Sequence, residues 1–205
     1  MSPAGGGWVV RAARPGDADA AAALILEPAP SLRDLLGSAH AAARMARASF
    51  LSPRTLYSHR HAVVASDGAA VTGLAIGVPG DQWRRRRWWT GLVMLAAGPA
   101  WGRALARSGA LVDRLTPPVP ADCLYVAALA VAPAARGRGV GTALLGRLEA
   151  EARRAGRGRL ALDVHRGNDA ARAFYARRGF AATGGAGATP FVRLEKPLGL
   201  RTPAG

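Results

Sequence analysis

A glycine-rich stretch in the second half of the chain limits the folds that this protein can adopt. An aliphatic run over residues 124–131 is bounded by Pro133, and Arg136-Gly-Arg-Gly-Val-Gly141 follows closely. Apolar residues then recur at helical spacing, at Val140, Leu144, Leu145, Leu148 and Ala152. The pattern predicts a buried strand, a glycine-rich loop and an amphipathic helix, in that order.

The start of this helix is suited to binding a phosphate group. The first N–H groups of a helix have no partner inside it, and the helix dipole adds a positive field there. Glycines at alternate positions remove the Cβ atoms that would keep an anion from the backbone. A dinucleotide fingerprint needs Gly-x-Gly-x-x-Gly and a P-loop needs Gly-Lys-Ser/Thr, and neither is present. The stretch predicts a pyrophosphate site, with a plain chain-reversing turn as the alternative.

Periodicity and turn residues predict the elements before this stretch. We expect a strand at 9–12, a helix from Asp17 as N-cap to Leu26, a second helix from Ser31 to about Arg47, and strands at 61–66 and 69–78 joined at Asp67-Gly68. A helical insert follows at about 82–115, with Trp88, Trp89 and Trp101 as expected packing anchors.

The remaining elements alternate between strand and helix. We expect a strand at 160–164, a helix from Asn168 or Asp169 to Arg178, and strands at 180–183 and 191–194. The sequence contains no internal repeat and no sign of a second domain. Residues 1–205 are therefore predicted to form one α/β domain that includes the insert.

Two motifs in this order resemble those of the GNAT superfamily of N-acetyltransferases. One is Arg136-x-x-Gly139-x-Gly141 after a strand that ends Leu-x-Val-x-Pro, and the other is the segment from Asn168 through Tyr175 to Gly179-Phe180. The resemblance is specific over residues 124–180. It implies a mixed, twisted sheet of six or seven strands with helices on both faces. It also implies direct attack of an amine on acetyl-CoA, used as a co-substrate, with no metal.

The resemblance further implies a role for each matching residue. The pantetheine arm of CoA would pair with the backbone of Leu129, Ala130 and Val131, and an N–H near Val131 would hold the developing oxyanion. The pyrophosphate would contact Arg136, Gly137, Arg138, Gly139, Val140, Gly141 and Thr142. Asn168 would lie near the cofactor, or would only cap a helix. Tyr175 would act as general acid toward the leaving thiolate, with a packed aromatic as the alternative.

The base that deprotonates the amine is left open by the sequence. Many relatives carry an acidic residue on the cofactor strand, but Leu-Tyr-Val-Ala-Ala-Leu-Ala-Val contains none. Asp163 and His165 are candidates because their strand is expected to separate from the cofactor strand there. Glu27 is a third candidate, in the helical region that lines the acceptor pocket of similar enzymes. A chain of water molecules is the fourth.

Composition limits the partners and the compartment. With 28 Lys+Arg and 13 Asp+Glu the net charge is +15, which favours polyanionic partners. Nucleic acid is disfavoured because no nucleic-acid-binding motif is present. Membrane contact through the largely apolar residues 88–106 is kept as an alternative, although glycines and a proline interrupt that segment. One cysteine, Cys123, fits a reducing cytoplasm.

Two further expectations concern the partners and the activity. The expected acceptor is a small-molecule or peptide amine, and the protein is expected to be a monomer or a homodimer. A non-catalytic regulator that binds acyl-CoA on the same fold is the main alternative to the enzyme, because the cofactor strand lacks an acidic residue.

Overall fold

The computed structural model of the protein describes residues 7–27, 39–96, 118–184 and 190–199. Within them lie the strands β1 (Val9–Ala12), β2 (Ala62–Ser66), β3 (Val71–Pro79), β4 (Cys123–Val131), β5 (Arg159–His165), β6 (Ala181–Gly184) and β7 (Phe191–Pro197). All seven belong to one sheet, in the order β1-β2-β3-β4-β5-β7-β6. β4 and β5 are parallel and the other neighbours are antiparallel, so the sheet is mixed, as predicted.

Helices cover both faces of the sheet. The described helices are α1 (Ala18–Leu26), α2 (Ala39–Leu51), α3 (Gly80–Ala96), α4 (Val140–Arg154) and α5 (Asp169–Ala176). Successive side chains of a strand point to opposite faces. Val63 accordingly packs in the core that contains α4 and Tyr175 of α5. Val64 packs in the core that contains α1 and Phe50 of α2. The prediction of helices on both faces is confirmed.

Several predicted limits hold, most strand limits shift by one to three residues, and two helix ends differ. β1 and α1 have the predicted bounds, and the apolar positions predicted for α4 are all buried. α2 continues beyond the predicted end near Arg47, because Phe50 in its last turn is fully buried. Residues 31–38 of that predicted helix lie outside the described residues. α5 ends at Ala176, and Gly179, with a φ of +82°, closes the turn after it.

Asp17 stands at the predicted N-cap position of α1 but does not cap it. Its carboxylate accepts two hydrogen bonds of 2.8 Å from the Arg11 guanidinium and one of 2.7 Å from the Arg14 N–H. No side-chain hydrogen bond to the first turn of α1 is present. The guanidinium is a stronger partner for a carboxylate than a backbone N–H, so the ion pair takes the place of the cap.

The insert begins as α3, and its packing differs from the prediction. Trp88 was expected to be an anchor, but 61% of it is exposed. Trp83 packs instead, in edge-to-face contact with Tyr125 of β4 at 6.0 Å between ring centroids. Residues 97–115, with Trp101, lie outside the described residues. None of the helices in the described ranges combines the length and apolarity needed to cross a membrane.

Candidate functional site

β4 and β5 separate halfway along their length. The parallel pairing joins only Cys123–Tyr125 of β4 to Arg159–Ala161 of β5. β4 nevertheless continues to Val131, paired on its other side with β3. The second half of β4 therefore presents an unpaired backbone edge toward the gap, as the sequence predicted for this region. Leu129, Ala130 and Val131 all lie on this edge.

A β-bulge coincides with the point of separation. In the register between β3 and β4, Ile76 pairs with Ala128 and Gly77 pairs with Val126, so Ala127 is an extra residue. A bulge bends its strand and increases the local twist. Ala127 comes two residues after Tyr125, the last residue of β4 that pairs with β5. The bulge therefore accounts for β4 turning away from its neighbour.

The glycine-rich loop leads from this edge directly to the N-terminus of α4. Gly137 and Gly139 have φ angles of +76° and +80°, a region that side chains with a Cβ rarely adopt. The Ala143 N–H donates to the Gly139 carbonyl at 3.1 Å. The N–H groups of Val140, Gly141 and Thr142 come before it in the first turn and have no acceptor inside the helix. These N–H groups are the donors to which the sequence analysis assigned the pyrophosphate, and that assignment stays a prediction.

Gly141 lies where the two sequence motifs meet. A Cβ atom there would come 3.4 Å from the Phe174 ring and 3.6 Å from a methyl group of Val131. β4, α4 and α5 thus converge on this glycine. Any larger side chain has to occupy space beside the free N–H groups of the first turn.

The two arginines that the sequence assigned to the pyrophosphate are oriented differently from each other. The Arg136 guanidinium donates to the Val131 carbonyl at 3.2 Å and forms an ion pair with Glu27. It is therefore engaged with the chain itself. Arg138 is exposed on the loop. Both assignments stay predictions.

Arg178 lies beside the first turn of α4, and the sequence analysis did not single it out. Its guanidinium lies 3.6 Å from the centroid of the Phe174 ring, donates to the Phe174 carbonyl at 2.7 Å and bonds to the Thr142 hydroxyl. Its Nε atom is buried and has no hydrogen-bond partner among the described residues. Burial and the neighbouring Arg177 lower the pKa of Arg178. The one-turn spacing from Tyr175 was the signal that could have revealed it.

Tyr175 is buried between two aromatic rings. It makes edge-to-face contacts with Phe174 and Phe180, at 5.1 and 5.4 Å between centroids. Burial raises the pKa of Tyr175 to about 12, so the phenol stays protonated at neutral pH. Its hydroxyl forms no hydrogen bond with the described residues. The ring is packed, as expected if Tyr175 is only a core aromatic. The hydroxyl also keeps its proton, as a role as general acid requires.

Asn168 has the capping role that the sequence left open. Its side-chain oxygen accepts a 3.0 Å hydrogen bond from the Ala171 N–H at the start of α5. The two donors of the side-chain amide have no acceptor among the described residues. A contact with the cofactor through those donors stays a prediction.

Asp163 is the candidate base least free to act. Its carboxylate pairs with Arg193 at 2.6 Å and accepts a 3.0 Å hydrogen bond from the Tyr125 hydroxyl. Both members of the ion pair are almost fully buried, with 7% and 4% of their side chains exposed. Three hydrogen bonds occupy most of the acceptor sites of this carboxylate, and its burial keeps an amine in solution away from it.

His165 and Glu27 lie in more open positions. His165 is exposed at the end of β5, beyond the pairing with β4, and its Nδ1 accepts from the Gly167 N–H at 3.2 Å. Glu27 follows α1 and is joined through Arg136 to the carbonyl of Val131. Glu27 is thus the candidate carboxylate connected to the end of the cofactor strand. No group of three or more potential metal ligands occurs among the described residues.

Comparisons with known proteins agree with this geometry. Crystal structures of an acetyltransferase and of SsHAT are similar to the chain, with TM-scores of 0.67 and 0.71 and identities of 22% and 24%. The alignments cover 93% and 94% of this chain and 99% of each of those. An N-acetyltransferase from Staphylococcus aureus Mu50 is similar at a TM-score of 0.66 and 21% identity, covering 92% of this chain and 99% of that one.

The structural likeness establishes the fold, and the sequence establishes the family. No curated protein matches the chain significantly. Residues 29–180 match the acetyltransferase (GNAT) family, and this range of the chain contains both sequence motifs, β4, β5 and the glycine-rich loop. The protein is therefore a member of the GNAT family of acetyltransferases.

Proposed function

We propose that this protein transfers an acetyl group from acetyl-CoA to an amine. One observation carries the proposal: the unpaired half of β4 is followed, after a single 3-10 turn at Pro133–Ala135, by a loop with two positive-φ glycines and the N-terminus of α4. The pantetheine arm of CoA, which ends in a pyrophosphate, matches the hydrogen-bonding groups of this strand edge and helix N-terminus in their order along the chain. The strand edge would bind the pantetheine amides, and the helix N-terminus would bind the phosphates.

Arg178 supports the fit of a phosphorylated co-substrate. Its buried Nε lacks a partner, and its guanidinium bonds to Thr142 in the first turn of α4. We assign Arg178 to the pyrophosphate site, beside the free N–H groups of that turn. A phosphate oxygen there would supply the acceptor that the Nε lacks.

The chemistry at the thioester rests on the backbone near Val131 and on Tyr175. A backbone N–H aimed at the carbonyl oxygen stabilises the negative charge that develops when the amine attacks. With a pKa of about 12, Tyr175 is a weaker acid than a thiol of pKa about 8.5. Its hydroxyl would therefore stabilise the leaving thiolate mainly by donating a hydrogen bond.

Glu27, acting directly or through water, is the base that we propose for the amine. Its ion pair with Arg136 fixes it relative to Val131 and to the carbonyl end of β4. The acceptor would be a small-molecule or peptide amine, an assignment supported by the N-acetyltransferase among the structural neighbours. A cytoplasmic location is consistent with the single buried cysteine.

The test is release of CoA thiol from acetyl-CoA in the presence of an amine panel. The panel should contain aminonucleosides, aminoglycosides, polyamines and peptides with free N-termini. We expect thiol release with at least one acceptor class and stoichiometric formation of the acetylated amine by mass spectrometry. Glu27→Gln should reduce kcat at pH 7, with less effect at pH 9, where more of the free amine is already deprotonated.

A regulator that binds acyl-CoA without turnover is the second candidate. The observation in its favour is that both candidate carboxylates are paired, Asp163 with Arg193 and Glu27 with Arg136. The same experiment separates the two functions. Tight binding of acetyl-CoA by calorimetry, with no thiol release for any amine in the panel, would establish the regulator.

A further inference from the structure

A second cationic site lies on the opposite face of the sheet from α4. It is a pocket of about 430 Å³ between α3 and the segment that follows α2. Its lining residues are Pro53, Arg54, Arg60, Arg85, Arg86 and Trp89, and we call it the arginine pocket. None of these residues belongs to the candidate acetyl-CoA site.

The walls of the arginine pocket are fixed by hydrogen bonds. The Arg86 guanidinium donates to the Pro53 carbonyl at 3.1 Å, and the Leu56 N–H donates to the Thr90 hydroxyl at 2.9 Å. The Arg54 guanidinium lies 4.5 Å from the centroid of the Trp89 ring. These contacts tie the 52–56 segment to α3, so the chain itself holds the walls of the pocket in place.

Among the described residues, the four arginines of the pocket have no acidic partner. Several arginines elsewhere are paired with a carboxylate, as in Arg193–Asp163 and Arg159–Asp122. No carboxylate of the described residues is within ion-pair distance of the pocket arginines, and Arg86 bonds to the neutral Gln82 side chain at 3.0 Å. Like charges this close repel, and their repulsion lowers the stability of the fold. A bound anion would remove that repulsion.

A neighbouring histidine reports the same positive field. Burial, together with the charges of Arg86, Arg60 and His59, lowers the pKa of His61 to about 4. Burial and the charges of Arg85 and Arg60 also lower the pKa of Arg86. The Nε2 atom of His61 is buried without a partner. The geometry and the charges thus agree that cations are concentrated here.

An apolar pocket of about 400 Å³ adjoins the arginine pocket. It shares Pro53, Arg54 and Trp89 with it and continues along α3 past Leu92, Val93 and Ala96. A ligand that fills both must carry charge at one end and apolar groups at the other. Trp89 forms the wall between the two ends and offers a flat ring for stacking.

We propose that the two pockets bind an amphiphilic anion, with a phosphate-type group among the four arginines and an apolar body along Trp89 and Leu92. Planar guanidinium groups bind phosphate oxygens in pairs, and the apolar body removes Leu92 and Val93 from water. The proposal is independent of the acetyl-transfer reaction. The ligand chemistry is the same for a soluble alkyl phosphate and for the head of an anionic lipid.

Calorimetry with octyl phosphate and with inorganic phosphate tests the pocket. We expect octyl phosphate to bind more tightly, and Arg60→Gln/Arg85→Gln to weaken its binding by about tenfold or more. Arg84→Gln/Arg154→Gln removes the same charge from exposed positions outside the pocket and should leave the affinity unchanged. Equal losses in the two double variants would show unspecific attraction to a basic surface and overturn the proposal, as would absence of binding.

Vesicles distinguish the two sources of the ligand. If the source is a lipid, the protein should cosediment with vesicles containing phosphatidylglycerol, and the pocket variant should lose this binding while the control variant keeps it. If the source is soluble, octyl phosphate binds but the vesicles do not compete for it. In both cases, NMR titration should show the pKa of His61 rising when octyl phosphate binds. An unchanged His61 pKa would place the anion outside the arginine pocket.

Discussion

The first turn of α4 and the arginine pocket are both positively charged, but they are built in opposite ways. The first uses backbone N–H groups and glycines from one continuous segment, residues 137–142, with Arg178 added from the turn that follows α5. The second uses side-chain charges from two segments, residues 54–60 and 85–86. Backbone donors fix the direction in which an anion must approach, whereas crowded guanidinium groups attract anions at the expense of stability.

A buried arginine with a partner provides the largest test of this contrast. Arg193→Met should lower the free energy of unfolding by about 3–5 kcal/mol, because it leaves the Asp163 carboxylate buried with only the Tyr125 hydroxyl as a charge-relieving partner. Urea denaturation measures the change. Arg60→Gln in the arginine pocket should leave the free energy of unfolding unchanged or raise it, because no carboxylate of the described residues forms an ion pair with Arg60.

A double variant serves as the control for the buried pair. Asp163→Leu combined with Arg193→Met removes both charges together, and such replacements are often neutral. We expect it to recover most of the stability that Arg193→Met loses. If the double variant is as unstable as the single one, the loss comes from packing or from the Arg193 bond to the Pro118 carbonyl and not from the stranded charge.

Gly141→Val should weaken acetyl-CoA binding by about 10²-fold. The first atom of the new side chain meets Phe174 and Val131, and the rest must project beside the free N–H groups of α4. Gly146→Val is the matched control, since a Cβ at this exposed position of the same helix meets nothing within 4 Å. Calorimetry with acetyl-CoA compares the two. Equal affinities would mean that the phosphates bind elsewhere.

Tyr175→Phe should reduce kcat by about 10²-fold with little change in the affinity for acetyl-CoA. The ring contacts with Phe174 and Phe180 survive, so only the donated hydrogen bond is lost. Because the pKa of Tyr175 is about 12, the wild-type rate should not decline from loss of this proton below about pH 11. A higher KM for acetyl-CoA with an unchanged kcat would instead identify the hydroxyl as a binding contact.

The sequence predicted the half of the fold that local patterns encode. Periodicity and the glycine positions predict the strand, the glycine loop and the helix of residues 123–154, and the structure contains all three. The separation of β4 from β5 was also expected from the motif order, and the register shows it. Local patterns suffice here because the cradle is made of backbone within one segment.

Pairings between distant residues were beyond the sequence. Asp163 is a candidate base from the sequence, but the register places it opposite Arg193 of β7. β7 lies between β5 and β6 in the sheet. Arg136 was assigned to phosphate, but in the fold it reaches Glu27, which is 109 residues away in the chain. The arginine pocket likewise joins residues about 30 positions apart. Hydrophobic periodicity predicts helices and strands, but no sequence pattern predicts which acidic residue will pair with a given arginine.

The smallest expected effect concerns His61, and its sign follows from proton binding. The pKa of His61 is about 4 in the folded protein and about 6.5 in an unfolded chain. Between these values the unfolded state binds more protons, so the stability that neutral His61 contributes is complete above pH 6.5 and is lost as the pH falls toward 4. Wild-type protein should therefore lose stability over this range.

Burial, Arg86, Arg60 and His59 together lower the pKa of His61, and Arg60→Gln removes one of these three charges. The folded pKa should move up toward 6.5, and the loss of stability between pH 7 and pH 5 should shrink by less than about 1 kcal/mol, since Arg60 is exposed and screened. Denaturation of both proteins at both pH values gives two changes in the free energy of unfolding. The contribution of the titrating carboxylates is the same in each protein and cancels in the difference. If the two stability curves stay parallel, the Arg60 charge does not contribute to the low pKa of His61, and the arginine pocket exerts a weaker field than its crowding indicates.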